Sequence, residues 1–176
     1  MGANRLGRTL ASLLLAMGLG AACSEGARST GDSTAPARDV RITLERTPCF
    51  GRCPIYRVEI DGSGRVVFEG RGFVKESGRH EGTVSASEVQ ALARELENAG
   101  FFGLRTHYPP DKTDHAGVIT SVTIDGRTHR IEHNLGSDSA PSVLSDLERR
   151  IDEVAGTARW IGETPPAPAR DTTREE

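Results

Sequence analysis

The segment Val118–His133, VITSVTIDGRTHRIEH, carries the clearest fold signal in the chain. Asp125-Gly126 separates two runs in which apolar and polar residues alternate, and this dipeptide is typical of a two-residue β-hairpin turn. Such a turn pairs Val122 with His129 and places His133 on the same face. The segment is therefore predicted to be an antiparallel hairpin with one apolar face.

Further strands are predicted upstream of this hairpin. The alternating patterns lie at residues 40–47, 56–60 and 66–68. A three-residue loop with Gly64 at a bulge is favoured between the second and third strands, because it puts the apolar residues of both on one face. Residues 70–81 indicate a less regular extended continuation, broken by a turn near Gly78.

Two amphipathic helices complete the pattern. Ser85 and Glu88 form a capping box that predicts a helix from Ala86, and Gly100 supplies its left-handed end. Pro141 precedes a second stripe of apolar residues at helical spacing, which ends at Gly156. Phe101, Phe102 and Leu104 are expected to fill the core beside the first helix.

The predicted element order is β-β-β-(β)-α-β-β-α. It indicates an α+β domain over residues 39–161, with two helices packed on one face of an antiparallel sheet of about five to six strands. Trp160 and Ile161 are expected to fold back onto the core. The charged helix positions, including Glu148 and Asp152, are interpreted as solvent-facing.

The N-terminus has the layout of a lipoprotein signal. Residues 1–22 combine Arg5 and Arg8 with a short apolar run, and small residues precede Cys23. The arrangement resembles the bacterial lipobox, with Gly20 where leucine is usual. We expect a signal peptide over residues 1–22 and lipidation, including palmitate, at Cys23, with ordinary secretion as the alternative.

The location and partners expected of the chain follow from its ends. Ser24 after the lipidated cysteine resembles lipoproteins of an outer membrane facing the periplasm, so the domain is expected to be extracytoplasmic and membrane-anchored. Residues 23–38 are predicted to be a flexible tether and residues 162–176 a disordered tail. The formal net charge of -3 becomes more negative when the two arginines of the signal are removed, which argues against a nucleic-acid partner.

The segment TPCFGRCPIY, residues 47–56, holds Cys49 and Cys53 between two prolines. A disulfide is expected in an oxidising compartment, and closing so short a loop contributes only about 2 kcal/mol. Metal binding or thiol-redox chemistry is the alternative, because Cys-x-x-x-Cys-Pro is similar to the motif of thioredoxin-like copper-delivery proteins. Those proteins need a helix after the motif, whereas a strand is predicted after Pro54. Free thiols are the third possibility, and no cofactor is expected.

Two other groups of residues are candidates for a metal site or for a catalytic or contact site. His129 and His133 could join the cysteines in a metal site, but hydrogen-bonded histidines at the edge of the core are the favoured interpretation. Asp114 beside His115 could serve a hydrolase, although no Gly-x-Ser-x-Gly elbow is present. The loop that runs from Tyr108 to these two residues is a candidate contact loop, with a solvated connection as the alternative.

The segment RTPCFGRCPIYRVEIDGSGRVVFEG, with the later FF-x-L, TDHAGVITSVTIDG, AP and RW, resembles a bacterial family of secreted and lipoprotein domains, domain of unknown function 6438. The resemblance covers residues 42–160 and implies a compact extracytoplasmic domain without established catalytic residues. We therefore expect a non-catalytic binding or structural module of the cell envelope, whose partner is an envelope protein or cell-wall component. A metal-handling or thiol-redox lipoprotein using Cys49 and Cys53 is the alternative.

Overall fold

The computed structural model describes residues 38–111 and 114–162. The expected signal peptide and Cys23 lie outside these residues, as do the tether and tail apart from Arg38 and Gly162. The structure therefore bears on the domain predicted for residues 39–161.

The domain is built on one mixed sheet of seven strands in the order β4-β3-β2-β1-β6-β7-β5. The strands are β1 (Val40–Arg46), β2 (Ile55–Asp61), β3 (Arg65–Gly72), β4 (Gly78–Thr83), β5 (His107–Tyr108), β6 (Gly117–Ile124) and β7 (Arg127–Asn134). Neighbouring strands are antiparallel, except that β5 runs parallel to β7. The α+β class is confirmed.

The predicted strand count of about five to six was too low. The uncertain fourth strand is present as β4, and the additional strand is β5, which pairs Tyr108 with His133. Because β5 has only two residues, it shows no alternation that a sequence pattern could reveal.

Both predicted turns are confirmed. Asp125 and Gly126 have φ of 49° and 81°, as the tight turn between β6 and β7 requires. Gly64 has φ of 92°, and a Cβ there would lie 2.1 Å from the Val84 carbonyl oxygen. The resulting register places Ile60 opposite Val66, so that the apolar residues of β2 and β3 share one face.

Helices cover that face. They are α1 (Ala86–Asn98), α2 (Ser142–Ala155) and the short α3 (Ala158–Ile161), with a 3₁₀ turn at Phe101–Gly103. The capping box of Ser85 and Glu88 is present, and Gly100 and Gly156 have positive φ after α1 and α2. In the described ranges, no helix has the length and apolar character needed to span a bilayer.

The prediction of two helices omitted α3, which brings the C-terminal end of the domain back to the core. The ring of Trp160 stacks on Phe68 at a centroid separation of 5.0 Å. Fold-back of Trp160 is therefore confirmed, and it occurs through a helical turn that starts directly after the end of α2.

Candidate functional site

The strand directions bring four connections to one end of the sheet, which we call the loop end. β1 leads into residues 47–54, β3 into 73–77, β5 into the connection whose described residues are 109–111 and 114–116, and β7 into 135–141. The chain enters β1 at the opposite end, where Val40 pairs with Ile124. The cysteine loop and the candidate contact loop, far apart in sequence, are thus neighbours in space.

The predicted disulfide between Cys49 and Cys53 is present at the loop end, with the two Cα atoms 5.9 Å apart. The base of this cysteine loop is anchored to β6. Thr47 Oγ1 accepts a hydrogen bond from the Gly117 amide at 2.8 Å, and the Thr47 amide donates to the Gly117 carbonyl at 2.9 Å. The disulfide therefore shapes a loop whose root is already held by the sheet.

The loop end carries the large apolar side chains that lie exposed in the described part of the chain. Phe50 is 89% exposed, Phe73 is 52% exposed and Leu135 is 43% exposed. The Arg52 guanidinium lies 5.6 Å from the centroid of the Phe73 ring, within the range of a cation–π contact. Three separate loops thus contribute apolar groups to one end of the domain.

Main-chain hydrogen bonds join two of these loops, those of Phe50 and Leu135, to the connection that precedes β6. The Phe50 amide donates to the Asp114 carbonyl at 3.2 Å, and the Leu135 amide donates to the Ala116 carbonyl at 3.0 Å. Asp114 has φ of 75°, a left-handed conformation that is uncommon for a residue other than glycine. Asp114 and the exposed His115 therefore belong to the loop end, as the contact-loop hypothesis requires.

Tyr108 has a different role from the one expected. It is 3% exposed, its hydroxyl accepts a hydrogen bond from the Arg105 amide at 3.2 Å, and the Arg105 guanidinium lies 4.6 Å from its ring centroid. Tyr108 therefore anchors the start of the loop in the core, and the part of its side chain that stays accessible lines a pocket beside the cysteine loop.

A small pocket of about 210 Å³ opens beside the cysteine loop. Its lining includes Thr47, Pro110, Gly117 and Asn134. A Cβ at Gly117 would lie 2.9 Å from Thr47 Oγ1, so a larger residue there would crowd the anchor of the loop. The pocket is smaller than the ~300–1,000 Å³ typical of sites for small-molecule ligands.

The alternative metal residues are engaged elsewhere. His129 Nε2 lies 2.9 Å from the Leu104 carbonyl oxygen, and buried His133 Nδ1 lies 3.1 Å from each carboxylate oxygen of Glu148. In residues 38–111 and 114–162, no three His, Cys, Asp or Glu side chains cluster in a way that could hold a metal ion.

The interpretation of Glu148 and Asp152 as solvent-facing was wrong. Glu148 is 1% exposed, and Asp152 accepts hydrogen bonds from Tyr56 at 2.7 Å and from Arg46 at 2.7 Å. A signal for this burial was present, since positions 144, 147, 148, 151, 152 and 155 form one helical stripe. Residue type alone favours solvent exposure for these two carboxylates, whereas their spacing along α2 places them on the side of the helix that faces the sheet.

Burial, helped by the neighbouring Asp152 carboxylate, raises the pKa of Tyr56 above its ordinary value. The Tyr56 hydroxyl is therefore held in its neutral, hydrogen-donating form. Thr157 Oγ1 also donates to Asp152, at 3.0 Å, so this network joins β1, β2, α2 and the start of α3. It fixes α2 and α3 to the sheet.

The comparisons with known proteins identify a family and assign no activity to the chain. A comparison with curated proteins finds no match for the chain. A model of the family described as domain of unknown function (DUF6438) matches residues 40–155, which includes the cysteine loop, the sheet and both long helices. The chain belongs to the family of domain of unknown function 6438.

Proposed function

We propose that this protein is a non-catalytic binding module of the bacterial cell envelope, which recognises an envelope protein through its loop end. The observation that carries the proposal is the convergence of Phe50, Phe73 and Leu135, from three different loops, on one end of the domain. Scattered single apolar residues need no explanation, but a group of them at one end of the domain favours a contact surface. Two of the three, Phe50 and Leu135, lie on loops that main-chain bonds connect through Asp114 and Ala116.

Backbone conformation at the loop end supports the same proposal. Phe73 has φ of 52°, a conformation that costs a non-glycine residue on the order of 1–2 kcal/mol. Its ring is half exposed, so burial in the core does not offset this cost. A strained residue whose side chain is presented to solvent is better explained by binding than by folding.

A protein partner fits the surface better than a small metabolite. The pocket beside the cysteine loop is smaller than the usual metabolite site, whereas one side chain of a partner could enter it. Exposed aromatic groups with a nearby arginine are also the residues that protein interfaces favour. Phe50, Arg52 and Phe73 form such a set.

The proposal includes the extracytoplasmic location. The disulfide suits an oxidising compartment, and a lipid on Cys23 with a tether over residues 23–38 would hold the domain at the membrane. In a cell that has an outer membrane, the proposed location is that membrane, with the domain facing the periplasm. The tether joins the domain at Arg38, and the loop end lies at the other end of β1.

The experiment compares partner capture by the wild-type protein and by matched charge-adding variants. Phe50→Asp places a carboxylate in the centre of the proposed surface, and Ala91→Asp places one on the exposed side of α1. We expect an envelope protein that co-purifies with the wild type and with Ala91→Asp to be lost with Phe50→Asp, while circular dichroism shows all three folded. Equal capture by both variants would refute the proposal.

A further inference from the structure

Within residues 38–111 and 114–162, no strand pairs with the outer side of β4, so β4 is an open edge of the sheet. It pairs with β3 on one side, and it is the terminal strand in the order of the sheet. The Val84 amide donates to the Gly64 carbonyl at 2.9 Å, in the same register as the β3–β4 ladder. Alternation of antiparallel hydrogen bonding therefore directs the main-chain groups of Arg79, Glu81 and Thr83 away from β3. These groups are available to another strand.

The sequence of this edge is complementary to itself. Arg79 and Glu81 flank His80, so two antiparallel copies centred on His80 would place each Arg79 opposite Glu81 of the second copy. Gly78 and Gly82 would also face each other, which allows the two backbones to approach closely. Opposite charges directly across an antiparallel pair are favourable and like charges are unfavourable.

We propose that two copies of this chain associate through antiparallel pairing of β4 with β4, centred on His80, so that the two sheets become continuous. The proposal does not depend on the loop-end side chains, since the paired segment, residues 78–82, begins after the connection that carries Phe73. Main-chain bonds between Arg79 and Glu81 of the second copy would satisfy the open edge.

The charges select this register over its neighbours. Side chains alternate between the two faces of a strand, so a shift of one residue would move every side chain to the opposite face. The nearest alternative registers that keep each side chain on its face are therefore two residues away. A shift in one direction places Arg79 opposite Arg79, and a shift in the other places Glu81 opposite Glu81. The His80-centred register is the one of the three without a like-charge pair.

On the charged face of the sheet, Arg and Glu side chains already lie beside each other within one copy. Arg65 lies 2.7 Å from Glu81, and Arg79 lies 3.1 Å from the same carboxylate. All three side chains are half exposed or more. A second copy would continue the alternation of Arg and Glu across the junction. His80 lies on the other face, where its ring is 6.5 Å from the Trp160 centroid.

The test uses charge reversal in the full chain. Arg79→Glu and Glu81→Arg each create like-charge pairs in the proposed dimer, so sedimentation equilibrium should show self-association of each variant weakened on the order of tenfold or more. Mixing the two variants should restore association as a heterodimer, because every pair then has opposite signs. The variant R79E/E81R should likewise associate as the wild type does.

A backbone variant gives an independent readout. Glu81→Pro removes an amide that points to the open edge, and it removes no hydrogen bond from the ladder between β4 and β3. The variant should therefore lose self-association while the chain stays folded. A monomeric wild type at high concentration, or single reversals that associate as strongly as the wild type, would overturn the proposal. All variants share the same N-terminus and loop end, so association through those regions would be unchanged among them.

Discussion

The Phe50 amide donates a hydrogen bond to the Asp114 carbonyl, with the two atoms 3.2 Å apart. This bond joins the tip of the cysteine loop to a loop more than sixty positions further along the sequence. Each loop was a separate candidate from the sequence. Their contact makes the loop end a single surface whose parts should respond together when one of them is changed.

Removal of the disulfide should alter the surface more than the stability of the fold. For Cys49→Ser/Cys53→Ser we expect a loss of about 2 kcal/mol in the free energy of unfolding, because the closed loop is short. Urea unfolding measures this loss, and partner capture should fall at the same time. An intact mass of oxidised wild-type protein should be lower by about 2 Da than that of the dithiol.

The redox and metal alternatives would give a different result for the cysteine pair. Reactive thiols in protein never exposed to reductant, or a retained copper or zinc ion, would identify Cys49 and Cys53 as a working site. A loss of stability well above about 2 kcal/mol would show instead that the disulfide supports the whole domain.

Phe73→Gly should separate binding from stability. Glycine adopts positive φ without strain, but it also increases the freedom of the unfolded chain, so the free energy of unfolding should stay within about 1 kcal/mol of the wild type. Partner capture should be lost because the ring is absent. Chemical denaturation and capture on the same preparations test both statements. A large loss of stability would show that the ring serves folding.

Asp152→Ala should be among the damaging substitutions in the domain. It leaves Arg46, Tyr56 and Thr157 without their shared acceptor, and removal of one partner of a largely buried ion pair costs about 3 kcal/mol. Glu153→Ala, on the exposed side of the same helix, is the matched control and should change stability little. Equal denaturation midpoints for the two variants would contradict this account of the network.

Tyr56 should make the domain sensitive to alkaline pH. Its pKa is raised in the folded state, so the folded protein keeps a proton that the unfolded chain releases. The stability contributed by this hydroxyl is therefore complete below pH ~10 and declines as the pH rises above that value. Tyrosinate absorbance and circular dichroism followed together should show that Tyr56 ionises only as the protein unfolds.

Tyr56→Phe is the control for that titration. In the variant, the absorbance change at alkaline pH should be smaller by the contribution of one of the two tyrosines of the chain, which assigns that part of the signal to Tyr56. Ionisation of Tyr56 at its ordinary pKa of about 10, in protein whose circular dichroism is unchanged, would be inconsistent with the hydrogen bond to Asp152.

Local patterns predicted most of the fold. The Asp125-Gly126 turn, the bulged turn at Gly64 and the capping box at Ser85 each depend on residues near in sequence, and all three are present. β5 could not be predicted, because a two-residue strand is defined by its partner β7 rather than by its own pattern. The burial of Glu148 could have been inferred from its position in the apolar stripe of α2.

The candidate site was predictable only in parts. The cysteine spacing indicated a disulfide, and the residues around Asp114 indicated a contact loop. Their joining depends on the order of strands β1, β6 and β7, which no local pattern encodes. Phe73 could not be identified from the sequence, since its exposure and positive φ result from the turn between β3 and β4.

The most direct test of the binding surface places a photoreactive phenylalanine analogue at position 50 of the full chain and, separately, at position 91, in the cells that make the protein. Illumination should cross-link one envelope protein from position 50 and not from position 91, and Arg52→Glu should reduce that cross-link. The same products from both positions, or none from position 50 in folded and exported protein, would contradict the proposal that the loop end is a binding site.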